Sequence, residues 1–245
     1  MNKKVVVMVV LVVATAFVFA DPAFAGPGGK IASVVFETFW GQVVLGILTI
    51  IFFPLITYVF LREKLSERRA RKDLRFMAVH SSKFEWLKVQ ERAIDCFFRV
   101  HSGWENEDLS GVTNWMTDWY WQNQQFLHLD RWKKEGLKNI CDVNIITCIK
   151  PLLFVHRNEG KEHEDSMVVI LIKAIMRDYL QDRNTGKVVE GSKRCKEVST
   201  VWSFTMDNGE WKVSDIEEGS MSLAYVQLAK DLPNIESTVI SEPKT

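Results

Sequence analysis

The sequence predicts an α+β domain whose helices pack in a strongly curved, cone-like antiparallel sheet, preceded by one transmembrane helix. Three observations predict this. An apolar stretch from Val43 to Leu61 carries no charge and is about as long as a helix that crosses a hydrocarbon core. Apolar residues recur every three or four positions between residues 83 and 134, and every two between 137 and 217. Helices followed by a run of strands, without alternation, mark the α+β class.

The elements follow in chain order. Lys3 and Lys4 precede an apolar stretch, and Ala23-Phe24-Ala25 stands before Gly26. This is the pattern of a signal peptide over residues 1–25, cleaved at a small-x-small site; an uncleaved anchor is the alternative. Residues 26–42 read as a short external loop and 43–61 as the transmembrane helix. Gly46, Thr49, Pro54 and Thr57 interrupt that span, but membrane helices tolerate them. Arg62, Lys64, Arg68, Arg69, Arg71, Lys72 and Arg75 follow it, against Lys30 alone in the short loop before it. The positive-inside rule then puts the C-terminal domain in the cytoplasm of a single-pass protein of the inner (cytoplasmic) membrane. Residues 62–82 read as a basic helical stalk.

The domain proper is expected over 83–232. A first helix carries Leu87, Ile94, Phe97, Phe98 and His101 on its apolar side and ends at Gly103. A second, capped by Asp108 or Ser110, carries Val112, Trp115, Met116, Trp119 and Tyr120 toward the core. Strands are predicted over 137–156, 166–182, 196–206 and 211–217. Pro151 suits an edge or a bend, and Asn208-Gly209 suits a tight hairpin. A short helix near 221–230 and a frayed tail over 233–245 complete the chain.

Charge narrows the function. The whole chain is neutral, but its first 75 residues hold ten basic and five acidic residues, leaving 21 and 26 for the remainder. A mildly acidic domain without clustered Lys or Arg is not a nucleic-acid binder. Cys96, Cys141, Cys148 and Cys195 lack metal-site spacing and read as packing residues. Phosphate-loop, nucleophile-elbow and zinc-protease motifs are absent, so no cofactor or metal is expected. His156 and His163 lie with Glu159, Glu162 and Glu164, read as a solvated turn and not a metal site.

An ordered set of short motifs carries a resemblance. Ala93-x-x-x-Phe97, Trp104, Asp108-Leu109 and the segment Thr117–Tyr120 come first. Asp178-Tyr179 and Asp182-x-x-Thr185-Gly186-x-Val188-Val189-x-Gly191 follow. Trp202-x-Phe204 and Trp211-x-Val213-x-x-Ile216 close the set. From about Phe84 to Glu218 the chain resembles the C-terminal domain of the mitochondrial import inner-membrane translocase subunit 44 and its bacterial relatives. The resemblance implies the cone fold of nuclear transport factor 2, membrane association and an adaptor role, with no transfer of protein import itself. Ser82-Lys83 and Thr205-Met206 depart from the family's acidic-Pro pair and its basic residue.

Such a cone encloses a pocket. Asp178 shares a strand face with Val168, Ile170, Ile172, Ala174 and Met176, so its carboxyl is expected in apolar surroundings with a raised pKa. His101 and Asp118 are its candidate partners, and Trp202 and Phe204 are candidate wall residues. Trp121 and Trp132 fall off the apolar stripe and are candidates for a partner surface, where Trp is enriched. Arg68, Arg69, Arg71 and Lys72 are candidates for anionic lipid headgroups. The expected function is a membrane-anchored, noncatalytic adaptor binding a protein or lipid at the cytoplasmic membrane face. The alternative is a tethered enzyme or small-molecule binder using the pocket, of the proton-transfer isomerase or dehydratase type.

Overall fold

The computed structural model describes residues 39–157 and 163–239. The expected signal peptide and most of the expected external loop lie outside the described residues. The chain divides into two compact units, Met1–Leu61 and Arg62–Thr245.

Helix α1 spans Phe39–Ala78 and contains Pro54. Its apolar window is long and apolar enough to cross a membrane, and none of that window is buried in protein. Thr49 donates its hydroxyl to the Leu45 carbonyl at 2.8 Å, which meets the group's hydrogen-bonding need within the helix. The helix starts at Phe39, inside the segment read as a loop.

The second unit begins within α1 and departs from the stalk expectation. Ser66, Ala70, Leu74 and Met77 are all buried. Their spacing of four, four and three puts them on one side of the helix, and the three apolar ones join the main core. Ser66 donates to the Leu152 carbonyl at 2.5 Å. Charged residues on the other faces disguise this segment as a solvated helix.

Helix α2 spans Trp86–Glu105 and buries Val89, Ala93, Cys96, Phe97, Val100 and His101. The expected face was turned too far, since Leu87 and Phe98 are exposed. Gly103 lies inside the helix and does not end it. A Cβ there would sit 2.8 Å from Leu109 Cδ2, so glycine permits the following loop to close against the helix. The next helix begins later than expected. After a 3-10 turn at Ser110–Val112, α3 runs over Asp118–Gln124, passes through a π-helical turn at Gln125–Leu129, and continues as α4 over Asp130–Lys134.

Four strands follow: β1 Leu137–Val155, β2 Met167–Asp182, β3 Val188–Asp207 and β4 Glu210–Glu218. They form an antiparallel meander in sequence order. β3 begins well before the expected residue 196, because its charged N-terminal half still pairs with β2. Pro151 lies on edge strand β1 beside a register shift, where its missing N–H costs no ladder bond. Six register shifts interrupt the ladders, and such irregularities bend and twist a sheet. Asn208 and Gly209 both have positive φ, 53° and 78°, as a type I′ hairpin requires.

The sheet is covered on both faces. The inner face carries Val168, Ile170, Ile172, Ala174, Met176, Trp202, Phe204 and Val213 against α2 and the end of α1. The outer face carries Leu152, Val169, Leu171 and Val201 against Val226 and Ala229 of helix α5, Ser222–Asp231.

Candidate functional site

Where α2 ends, the inner face opens into a chamber of about 250 Å³ lined by His101, Trp104, Gln124, His128, Trp132, Asn139, Cys141 and Asp178. Its walls follow from local geometry. His101 and Trp104 are one turn apart on α2. Gln124, His128 and Trp132 repeat every four residues through the π turn, which aligns them on one side. Asn139 and Cys141 share a face of β1, and Cys141 stands opposite Asp178 in the ladder. His101, Trp104, Trp132, Asn139 and Asp178 also line a wider cavity of about 910 Å³ that continues past Trp202, Lys196, Glu190 and Glu218.

His101 is a neutral acceptor at the back of the chamber. Its Nδ1 lies 2.7 Å from the Phe97 carbonyl. A carbonyl only accepts, so Nδ1 carries the proton and Nε2 is bare. The ring packs between Phe97, Trp104 and Trp202, and burial lowers its pKa to about 4. Among the described residues no buried side-chain nitrogen or oxygen lacks a partner. Nε2, which has none, therefore reaches the open space of the chamber.

Asp178 supplies the charge. Surrounding protein raises its carboxyl pKa, Lys196 opposes the rise and Glu190 adds to it. The residue is nevertheless exposed, and it lines both the chamber and the wider cavity. The ladder shifts between Met176 and Asp178, and Gly191 makes the shift possible. Gly191 has φ +80°, and a Cβ there would lie 2.5 Å from the Asp178 carbonyl oxygen. Cys141 donates to the His101 carbonyl at 3.1 Å, and its thiol is pushed up to about 12, first by burial and then by Asp178, Glu105 and Asp142.

The predicted site residues are thus only partly brought together. His101 and Asp178 line one chamber, with no hydrogen bond between them. Asp118 does not join them: it is exposed at the start of α3, with Trp121 Nε1 3.4 Å away. Trp202 and Phe204 are fully buried core residues; Trp202 closes the cavity wall and donates to Thr200 at 2.8 Å. Trp121 and Trp132 are not exposed anchors but half-buried residues packed on the core. The exposed apolar residues of this region are Trp119 at 72%, Phe126 at 68% and Leu127 at 47%. Sequence reasoning placed Trp119 in the core and missed Trp104 and Asn139. Trp104, one turn from His101, carried a legible signal; Asn139 had none.

The basic candidates also divide. Arg69 donates to the Ala229, Leu232 and Pro233 carbonyls and pairs with Asp73. Arg71 bonds Glu67 at 2.9 Å and lies 4.7 Å over the Trp86 ring. Both serve the fold. Arg68 and Lys72 are exposed, as are Lys64 and Arg75, along one helical stripe.

Two further expectations meet the structure. His156 is buried, not solvated, and its Nε2 lies 3.0 Å from His163 Nδ1. Glu159 and Glu162 lie outside the described residues, and no cluster of three metal-ligating side chains occurs among the described ones. Cys96 and Cys141 are buried as expected, but Cys195 is exposed.

A profile of the Tim44-like domain matches residues 72–218. The chain belongs to the Tim44-like domain family. Domains of this family are membrane-associated and interact with proteins. Among solved structures, the intermembrane space region of chloroplast protein ARC6 is similar at 7% identity, with a TM-score of 0.35, over 51% of this chain and 92% of that one; so slight a likeness carries no argument. No curated protein matches significantly. Of the motifs that carry the Tim44-like resemblance, Trp104, Asp178 and Trp202 reach the cavity wall, and others build scaffold. Asp182 Oδ1 accepts from the Asn184 and Thr185 amides and the Thr185 hydroxyl, which forms the β2–β3 turn. Trp211 Nε1 donates to the Lys83 carbonyl at 2.9 Å, tying β4 to the segment before α2.

Proposed function

We propose that this chain is a membrane-tethered, noncatalytic adaptor. Its Tim44-like domain works on the cytoplasmic side of a single-pass anchor in the inner (cytoplasmic) membrane and binds a protein there. The observation that carries the reading is the exposed apolar face of Trp119, Phe126 and Leu127 on α3 and the π turn. Large side chains that leave a core for solvent mark interaction sites, and Trp is enriched where binding energy concentrates. The accessible edge of Trp121 extends this surface, whereas Trp132 belongs to the chamber. The exposed stripe of Lys64, Arg68, Lys72 and Arg75 supports attraction to anionic headgroups, worth about 1 kcal/mol per residue near a charged surface. Tethering raises effective concentration, so a weak partner contact at the same membrane suffices. The proton-transfer alternative is weakened by His101, whose pKa of about 4 makes it a poor base near neutrality.

The test is a crosslinked pull-down of the full-length protein from native membranes, beside a Trp119→Ala/Phe126→Ala variant of unchanged stability. A stoichiometric partner lost in the variant is expected. A partner retained by the variant, or none in the wild type, refutes the reading. The side of the membrane is tested by the native Cys195 thiol, which should resist an impermeant maleimide in intact cells and react after lysis.

A further inference from the structure

We infer that the chamber at the end of α2 is a binding site for an alkylammonium group, with its charge on Asp178 and its methylenes against Trp104 and Trp132. Three features of the wall lead there.

The first is charge. Of the chamber's lining residues, Asp178 alone carries a carboxyl group. His101 titrates near 4, burial and then Arg131 hold His128 below the usual imidazole range, and Cys141 keeps its thiol proton. Glu105, Asp142 and Glu190 stand close enough to affect Cys141 or Asp178, so their charges add to the negative field. The opposing cations are Lys196 and Lys173, on the wider cavity, the second paired with Glu197, and Arg131, near His128. None of them lines the chamber. An anion would therefore meet a carboxylate in a confined space, and a cation would find its counter-charge.

The second is the aromatic wall. Indole faces attract cations through the ring quadrupole. Elsewhere in the domain that capacity is used internally, by Arg71 over Trp86 and by Arg92 and Arg99 over Trp115. Among the described residues no cation lies over Trp104 or Trp132.

The third is hydrogen bonding. An ammonium offers three donors and no acceptor. The wall offers acceptors in the Asp178 carboxyl, the bare Nε2 of His101 and the Asn139 and Gln124 carboxamide oxygens, beside the N–H donors of those carboxamides and of the Trp104 and Trp132 indoles. A carboxylate ligand could accept from those N–H groups but would meet the like charge of the Asp178 carboxylate.

The group could belong to a free amine or to a lysine side chain. The site does not depend on the adaptor reading, since the Trp119 face is separate from the chamber lining.

The experiment uses the full-length protein in nanodiscs of zwitterionic phosphatidylcholine, which do not concentrate cations. Butylammonium, butyrate and 1-pentanol are titrated while tryptophan fluorescence is followed. Saturable binding of butylammonium, with much weaker binding of the other two, is expected. Asp178→Asn should weaken butylammonium by roughly tenfold, and Lys196→Ala should tighten it by about two- to fivefold. A merely structural Asp178 would not give opposite signs at these two positions. Equal binding of butyrate or pentanol overturns the inference, as does an Asp178→Asn variant of unchanged affinity. If Asp178→Asn does not fold, ligand selectivity and Lys196→Ala decide alone. A capped lysine, N-acetyl-lysine methylamide, then separates the sources. Binding at least as tight as butylammonium assigns a protein side chain, and binding of the free amine alone assigns a small molecule.

Discussion

Replacing Leu74 by alanine tests whether the basic segment after the membrane span is a stalk or part of the domain. Leu74 is fully buried on α1 within the main core, beside Ala70 and Met77. Truncating a buried leucine removes its transfer free energy and leaves a cavity, together about 3–5 kcal/mol. Total stabilities of about 5–15 kcal/mol make that a large fraction. With a urea dependence of about 2–3 kcal/mol per molar, the midpoint should fall by about 1–2.5 M. The assay is urea unfolding of the full-length protein in mild detergent, followed by tryptophan fluorescence. Arg68→Ala, six residues earlier on the exposed stripe, is the matched control and should stay within about 0.5 kcal/mol of wild type. A loss below about 1 kcal/mol for Leu74→Ala would refute the packing argument and restore the stalk.

Three further outcomes are expected. Gly191→Ala should cost about 1–3 kcal/mol, because the residue has φ +80° and its Cβ would strike the Asp178 carbonyl; Gly111→Ala, where nothing lies within 4 Å, should be close to neutral in the same melts. Tyr120→Ala should lose about 3–5 kcal/mol and Trp119→Ala less than about 1 kcal/mol, since the first is 3% exposed and the second 72%; comparable losses would contradict the assigned faces. His101 should make the domain acid-sensitive. Its folded pKa of about 4 lies below the roughly 6.5 of an ordinary imidazole, so the unfolded chain takes up a proton first. This contribution is complete above pH 6.5 and fades by about 1.4 kcal/mol per unit down to pH 4. His101→Phe should flatten that part of the stability–pH profile, and an unchanged slope would exclude His101 as its source.

How far the site was legible depended on each residue's own evidence. Asp178 was readable because an acidic residue interrupts a period-two apolar run, and His101 because it ends an apolar helical stripe. Their shared chamber was not, for it requires the β1–β2 register and the approach of α4. Trp132 shows the limit. Falling off a stripe separated it from one face of one helix, but another wall of the same domain covers it. Asp118 failed for the same reason, since helical spacing says nothing about which cavity a helix reaches.

The sequence by itself determined the apolar span, the order of helices and strands, the hairpin at Asn208-Gly209 and the family motifs. Each is written in a local period, a turn requirement or an ordered pattern. Only the tertiary structure decided that residues 66–77 belong to the core, that Trp119 faces water while Tyr120 beside it is buried, and that β3 runs ahead of its apolar half. Periodicity records which side of an element is apolar, whereas burial is set by what packs against it. The four-residue repeat of Ser66, Ala70 and Leu74 is short, partly polar and flanked by charge, so it shows as a core face only once β1 and α5 close over it.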